Sequence, residues 1–478
     1  MTTTARRRPQ HEMLVWSILL GLSVMWLVFL FFQRGQIFDE SEHAHVAWLI
    51  SQGKRPINDF FQHHMPLLWS LLALYFRAGF TGAAVLIWGR ILVLVSGAIS
   101  LAALWMLGRS AGDSRRLISY LGPAAFIALT AFLPELFVIR PETIATAAFL
   151  WALMLWNAPG SSAKVALAGA LAGAAMYATP RFALLGGLFF LIGISTVRRW
   201  LFLVAGAFCF VGFYTWLSGF ELQKVLFSLR FSSYLQFIGG QAVGRRETTW
   251  FGLMLITCLP LFALLFAVPR AARYRSAAVI AYTVFVFLAC NHTAGLFRYV
   301  QAYAPFIVAV SIAAACVAAR LELPGEPATA LALVFPVILL LPSLAFFRPS
   351  RPHFDFLASV RARNKLAAMV PAGGTVLLFT RDNPITVPDA SYYGIPLNDG
   401  EDRLCRAVRG FHSSFKLPPC DLLKTLQDAK PYLTDSSISA ATSNEPKAQQ
   451  VIEKNYRPVD LGPSFPSFLQ AETERRDN

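Results

Sequence analysis

The apolar run LVWSILLGLSVMWLVFLFF (residues 14–32) is followed at residues 37–69 by IFDESEHAHVAWLISQGKRPINDFFQHHMPLLW. The first stretch carries no charge and is close to the roughly 20 residues with which a helix crosses a bilayer. The second holds Asp39, Glu40, Glu42 and Asp59, with four of the chain's eight histidines (His43, His45, His63 and His64). A chain with a mean hydropathy of +0.52 has few places for so many ionisable groups. Gathered just beyond the first span, they predict a reaction centre at a membrane surface.

The rest of the chain extends this pattern. Of its 478 residues, 56% are hydrophobic and 14% charged, against about 25% charged in a soluble globular protein. We read about eleven apolar runs as spans, near 14–32, 83–107, 117–136, 142–156, 165–179, 182–197, 201–218, 250–267, 277–290, 301–318 and 329–347. The first is long and followed by many others, so it reads as a span and not as a cleaved leader. Short basic loops with Arg6–Arg8, Arg109, Arg115, Lys164, Arg198–Arg199, Arg270, Arg273 and Arg320 place the N-terminus inside by the positive-inside rule. Asp39, Glu40, Glu42, Asp59, Glu135, Glu142, Glu221 and Glu247 then fall outside, as does everything after residue 347. The net charge of +15 suits a membrane protein facing anionic lipid. Nothing resembles a nucleic-acid-binding module.

Residues 1–347 form an all-α polytopic membrane domain with an outer catalytic loop at 33–82. A second outer segment, 219–249, mixes apolar residues with Lys224, Arg230, Arg245 and Arg246, and reads as an amphipathic stretch at the interface. Residues 348–478 read as a small soluble α/β domain on the extracytoplasmic side. In it, GTVLLF (374–379) is a strand, CDLLKTLQDAKPYL (420–433) a helix and turn, and ISAATS (438–443) a second strand. Four cysteines lie in apolar spans, where a thiol is a small hydrophobe. Cys405 and Cys420 lie in the tail and are a disulfide candidate in an oxidising compartment.

In the first loop, a helix beginning near Asp39 puts residues 39, 42 and 43 on one face, with Gly53 as a stop and Pro56 barring continuation. Asp39-x-x-Glu42 also has the spacing of a capping box. Neither a cap nor a lipid boundary requires the neighbouring Glu40 or the second cluster at Asp59, His63 and His64. Three further outer features supply cations: Arg140-Pro141-Glu142, Thr179-Pro180-Arg181 and Arg298-Tyr299. Each arginine also suits an interfacial anchor. Together they offer an anion site near a carboxylate. A sugar leaving from a phosphate needs no acid, only cations to meet the developing charge and one base for the acceptor's proton. Asp39 and His43 also have the spacing of a ligand pair for a divalent metal ion.

These features resemble the membrane-embedded GT-C glycosyltransferases, in particular the bacterial dolichyl-phosphate-mannose-protein mannosyltransferase-like family that includes the aminoarabinose transferases. The resemblance rests on Asp39-Glu40, Gly53, Pro56, Asp59-Phe60 and Pro66, on Thr179-Pro180-Arg181, and on Arg298-Tyr299 with Pro305. It implies a polyprenyl-phosphate-linked sugar donor and an inverting transfer to a lipid, glycan or protein acceptor on the outer face of a bacterial cytoplasmic membrane. It makes Asp39 the leading base with Glu40 beside it, and Arg181, Arg298 and Tyr299 the donor-phosphate residues. Beside these, Asp59, His63, His64, Arg140 and Glu142 are candidate acceptor or supporting residues, the doubled His63-His64 having no fixed role in the family pattern. A lipid-linked glycan flippase would mark its path with intramembrane charges, whereas these spans read as nearly uncharged. A ligase or polymerase of lipid-linked glycans would concentrate its site in a late outer loop.

Overall fold

The computed structural model describes residues 10–33, 38–109, 118–130, 136–219, 222–238, 256–297 and 303–321, apart from positions 57, 58, 61, 63, 81, 82, 137, 194, 257 and 258, and short stretches between 330 and 471. His63, Arg298, Tyr299, Cys405, Cys420, nearly all of the expected span at 329–347 and the expected strand at 438–443 lie outside the described residues.

The helices in chain order are α1 (Gln10–Gln33), α2 (Phe38–Ser51), α3 (Leu67–Arg77), α4 (Ala83–Gly108), α5 (Leu121–Thr130), α6 (Pro141–Asn157), α7 (Ser162–Ala178), α8 (Leu188–Ile192), α9 (Val197–Ser218), α10 (Leu222–Ile238), α11 (Leu259–Leu264), α12 (Arg270–Phe297) and α13 (Ala304–Ala318). Among the described residues, Ala84–Gly108, Val197–Leu217 and Arg270–Cys290 are long and apolar enough to cross a membrane. Shorter apolar helices accompany them. On α1, Leu14, Ile18, Leu22, Met25, Phe29 and Phe32 are exposed at three-and-four spacing. In water such a stripe would be an association surface; against lipid it is an ordinary outer face.

At the centre lies α13, whose fifteen residues are all buried. A helix that is apolar all round belongs inside a bundle, and α4, α5 and α12 pack around it. The expected span at 182–197 is instead a 3-10 helix (Pro180–Leu185), a Gly186-Gly187 turn and the short α8. A Cβ at Gly187 would lie 2.8 Å from the Tyr282 hydroxyl, so any larger residue there would displace that ring. The expected span at 117–136 is helical from Ile118 to Thr130.

The tightest helix pair is α7 with α9. A Cβ added at Gly169 would run into the Leu203 carbonyl, and one at Gly206 into the Ala166 carbonyl. Small residues let membrane helices approach backbone to backbone, where packing replaces the hydrophobic drive. Gly169→Ala and Gly206→Ala are each expected to cost about 1–3 kcal/mol by overpacking, read as a lower unfolding temperature in detergent. Gly212→Ala on the same α9, where a Cβ meets nothing within 4 Å, should leave that temperature unchanged.

Toward the C-terminus a five-stranded mixed sheet has the order β2-β1-β3-β5-β4. Here β1 is Thr375–Leu377, β2 Ser391–Tyr393, β3 Leu433–Asp435, β4 Tyr456–Val459 and β5 Phe468–Ala471. The first three named in that order pair in parallel, and β5 pairs antiparallel with both β3 and β4. The expected strand at 374–379 and helix at 420–433 correspond to β1 and to α14 (Leu422–Ala429). A further helix, α15 (Pro446–Asn455), leads directly into β4.

Candidate active site

The helix expected near Asp39 is α2, and its end is built as its sequence suggests. Gly53 adopts φ +80°, which side chains other than glycine rarely take. Gly53 N–H donates to the Ile50 carbonyl and Lys54 N–H to that of Leu49, each at 3.0 Å. This closes the last turn in a Schellman arrangement. The chain then turns at Asp59, whose Oδ2 accepts from Arg55 N–H at 2.7 Å while its own N–H donates to the Arg55 carbonyl. Asp59 is exposed and holds this turn, a more local employment than the supporting role the sequence suggested. The chain returns as α3, which packs along α2.

The two ends of the proposed capping box face distant partners. Asp39 Oδ2 accepts from Arg140 Nη1, and Glu42 Oε1 accepts from Gln62 Nε2 at 2.8 Å. Arg140 stands just before α6, where Pro141 occupies the first helical position. From Arg140 the ion pairs continue: its Nε lies 3.3 Å from Glu142 Oε2, and Glu142 Oε1 lies 4.0 Å from Arg181 Nη1. Asp39, Arg140, Glu142 and Arg181 therefore form one chain of alternating charge. Its inner members are covered, with side-chain exposures of 12% for Arg140 and 5% for Glu142, and its ends are open, at 39% for Asp39 and 29% for Arg181. An accessible carboxylate and an accessible guanidinium thus terminate a charge-balanced core. Arg181 is carried by the 3-10 helix at 180–185, against which α13 packs. The chain enters α13 through the buried Tyr303, four residues beyond Tyr299.

Glu40 does not stand beside Asp39. Its Oε1 accepts from Arg90 Nε at 2.7 Å and from Ile139 N–H at 3.0 Å, and its Oε2 accepts from Arg90 Nη2 at 2.6 Å. Arg90 Nη1 donates to the Phe31 carbonyl at 2.7 Å. Both side chains are sealed from solvent. The expectation of a second catalytic carboxylate is revised: consecutive residues of a helix diverge by about 100°, so Asp39 reaches the α6 end while Glu40 enters the packing. Arg90 was missed in the sequence and corrects the reading of nearly uncharged spans. Its signal was a lone arginine within the apolar α4.

His43 is buried and accepts at Nδ1 from Trp69 Nε1 at 2.9 Å. Burial, with Arg140 nearby, pushes its pKa down from 6.5 to about 4. Both observations describe a neutral ring whose one proton is on Nε2. Turning Nε2 into a metal-binding lone pair would put that proton on Nδ1, against the Trp69 N–H. The Asp39–His43 pair therefore does not fit a metal ion, and among the described residues no group of three or more His, Cys, Asp or Glu could hold one. His64 lies with its ring 5.9 Å from that of His43. Lys224, expected at the interface, is buried and donates to the Gly219 carbonyl at 3.3 Å.

A pH dependence follows from His43. Between about 4 and 6.5 the unfolded chain binds a proton at this ring that the folded protein does not, so the stability it contributes is complete above 6.5 and declines as pH falls. The slope is at most about 1.4 kcal/mol per pH unit for one proton. Unfolding temperatures measured from pH 7 to pH 4.5 should fall, and the fall should be shallower in His43→Gln.

No protein-family model matches the chain, and no curated protein matches it by sequence. Solved structures do. ArnT from Cupriavidus metallidurans in the apo state superposes with a TM-score of 0.60 at 13% identity, covering 98% of this chain and 99% of that one. The same protein bound to undecaprenyl phosphate gives 0.41 at 12% identity, over 96% and 98% of the two chains. The arabinofuranosyltransferase AftD from Mycobacteria gives 0.49 at 16% identity, over 96% of this chain and 40% of that one. Over nearly its whole length the chain shares the fold of apo ArnT.

Proposed function

We propose that the protein is a membrane glycosyltransferase that moves a sugar from a polyprenyl-phosphate donor to an acceptor hydroxyl, with inversion, on the outer face of a bacterial cytoplasmic membrane. The observation that carries this reading is the ion chain ending in Asp39 and Arg181. Asp39 takes the proton of the acceptor hydroxyl as its oxygen bonds to the anomeric carbon. The bond from that carbon to the phosphate oxygen breaks, and polyprenyl phosphate departs with its new charge. Arg181 meets that charge at the end of the chain, as a cation already oriented where the charge develops. Glu142 keeps Arg140 and Arg181 in place, and Arg140 aligns the Asp39 carboxylate. On their sequence motif alone, Arg298 and Tyr299 are assigned to the donor phosphate. No step runs through a metal ion.

A flippase would use an intramembrane charge along a path. Arg90 is such a charge by position, but it is sealed from solvent and its guanidinium is engaged by Glu40 and the Phe31 carbonyl. It faces protein, which favours the enzyme.

The test is transfer from a polyprenyl-phosphate sugar in proteoliposomes. Arg181→Gln should raise KM for the donor and lower kcat, together by about 10- to 100-fold in kcat/KM, the effect of losing a charge-assisted hydrogen bond of about 1.5–3 kcal/mol. An unchanged donor dependence would remove Arg181 from the phosphate site.

A further inference from the structure

Ion pairs cluster at the candidate site, with the Glu40–Arg90 pair beside it. The opposite ends of the same helices are different. Helix α6 runs from Pro141 at the site to Asn157, α7 begins at Ser162 and returns to Ala178, α9 begins at Val197, and α12 begins at Arg270. That far face carries Lys164, Arg198, Arg199, Arg270, Arg273 and Arg275. Among the described residues none of the six forms an ion pair.

Two of these arginines are half spent. Arg199 Nη2 donates to the Trp156 carbonyl near the end of α6, and its guanidinium lies 5.1 Å from the centre of the Trp156 ring. Arg273 Nη2 donates to the carbonyls of Phe266 and Val268, at 3.4 and 3.2 Å. In both, Nε is buried with no hydrogen-bond partner among the described residues. Such side chains complement helix C-termini, which fixes the guanidinium in place without neutralising it. Arg198, Arg270 and Arg275 beside them are exposed. The same surface presents large apolar groups: Phe190, stacked on Trp200 at 4.0 Å, and Phe266 and Tyr274, each 83% exposed. Helix α8, which carries Phe190, packs against α12, the helix that carries the second cluster.

We propose that this face binds acidic phospholipid headgroups, with the phosphates at the two arginine clusters and the acyl chains against the exposed aromatic groups. Charge complementarity selects the occupant. A surface whose described cations have no carboxylate partner among the described residues, next to side chains suited to hydrocarbon, matches an anionic amphiphile better than an acidic protein, which would leave the aromatic groups in water. This inference concerns the opposite face from the proposed chemistry and stands without it.

The test uses the full-length protein in lipid nanodiscs of phosphatidylcholine alone or with phosphatidylglycerol, read by unfolding temperature, and titration of short-chain phosphatidylglycerol in detergent. Phosphatidylglycerol should raise the unfolding temperature. The variant Arg198→Gln/Arg270→Gln/Arg275→Gln, which alters only exposed side chains, should lose that rise and bind the short-chain lipid at least about tenfold more weakly, since each surface cation contributes about a factor of five. Arg198→Lys/Arg270→Lys/Arg275→Lys should keep the response. Equal unfolding temperatures in the two nanodiscs would overturn the proposal. So would a response retained by the glutamine variant, or saturable binding of an acidic peptide with none of the lipid.

Discussion

Asp39→Asn should lower glycosyl transfer by about 100- to 10,000-fold, the contribution of a positioned general base, while the purified protein unfolds at its normal temperature. Asparagine has the shape of aspartate and retains an oxygen that accepts from Arg140, so the contacts of Arg140 with Glu142 and of Glu142 with Arg181 survive. What disappears is the capacity to take a proton. The loss should therefore fall on kcat and leave the donor KM within a few fold, as for an interaction made only in the transition state. Single-turnover transfer with pre-bound donor separates this from impaired binding. Activity within threefold of the unaltered protein would sink Asp39 as the base, whatever happens at Arg181.

The second large effect is expected at the buried pair. Arg90→Met leaves the Glu40 carboxylate sealed in the packing without its counter-ion, and Glu40→Leu does the reverse. Each single change should destabilise by about 3–5 kcal/mol, whereas replacing both charges together is often near neutral. The double variant Glu40→Leu/Arg90→Met should therefore be destabilised by less than the sum of the two singles, its remaining loss coming from the buried Ile139 N–H and Phe31 carbonyl, at about 1–3 kcal/mol each. It should still lose activity, because the Ile139 N–H and the Phe31 carbonyl lose their partners and α2 is no longer tied to α4 and the approach to α6. Unfolding temperature and transfer rate, measured on the same four preparations, decide the matter. Singles as stable as the parent would deny the burial, and a fully active double would deny the positioning role.

Much of this arrangement was legible in the sequence where the cause is local. The end of α2 could be read from Gly53 and Pro56, since a left-handed turn and a missing N–H act within a few residues. The gathering of Asp39, Arg140, Glu142 and Arg181 followed from topology: alternating helices bring alternate loops to one face. Distinguishing Asp39 from Glu40 lay beyond the sequence, because their roles depend on Arg90, fifty positions from Glu40, and on Arg140, a hundred and one from Asp39. The histidines misled for a similar reason. His43 was conspicuous as an ionisable group, but its partner is an indole N–H from α3, and burial makes it an uncharged packing element. The break at 180–192 was partly visible in Pro180 and Gly186-Gly187, yet an apolar composition read over a long window conceals such a turn.

The adjacent carboxylates make α2 sensitive to phase. Below them, Ala44 and Ala47 are fully buried and fix the azimuth of the helix. Deleting Ser41 would leave that lower portion in place and rotate everything above it by about 100°. Asp39 would then meet Arg90, and Phe38 would be offered to Arg140. Composition, hydropathy and the number of carboxylates would be almost unchanged, and the site would be gone. An alignment of related chains that slides one of these two carboxylates over the other by opening a gap would equate residues with opposite employments. At this point in the fold the reading frame of the helix carries as much information as the residues themselves.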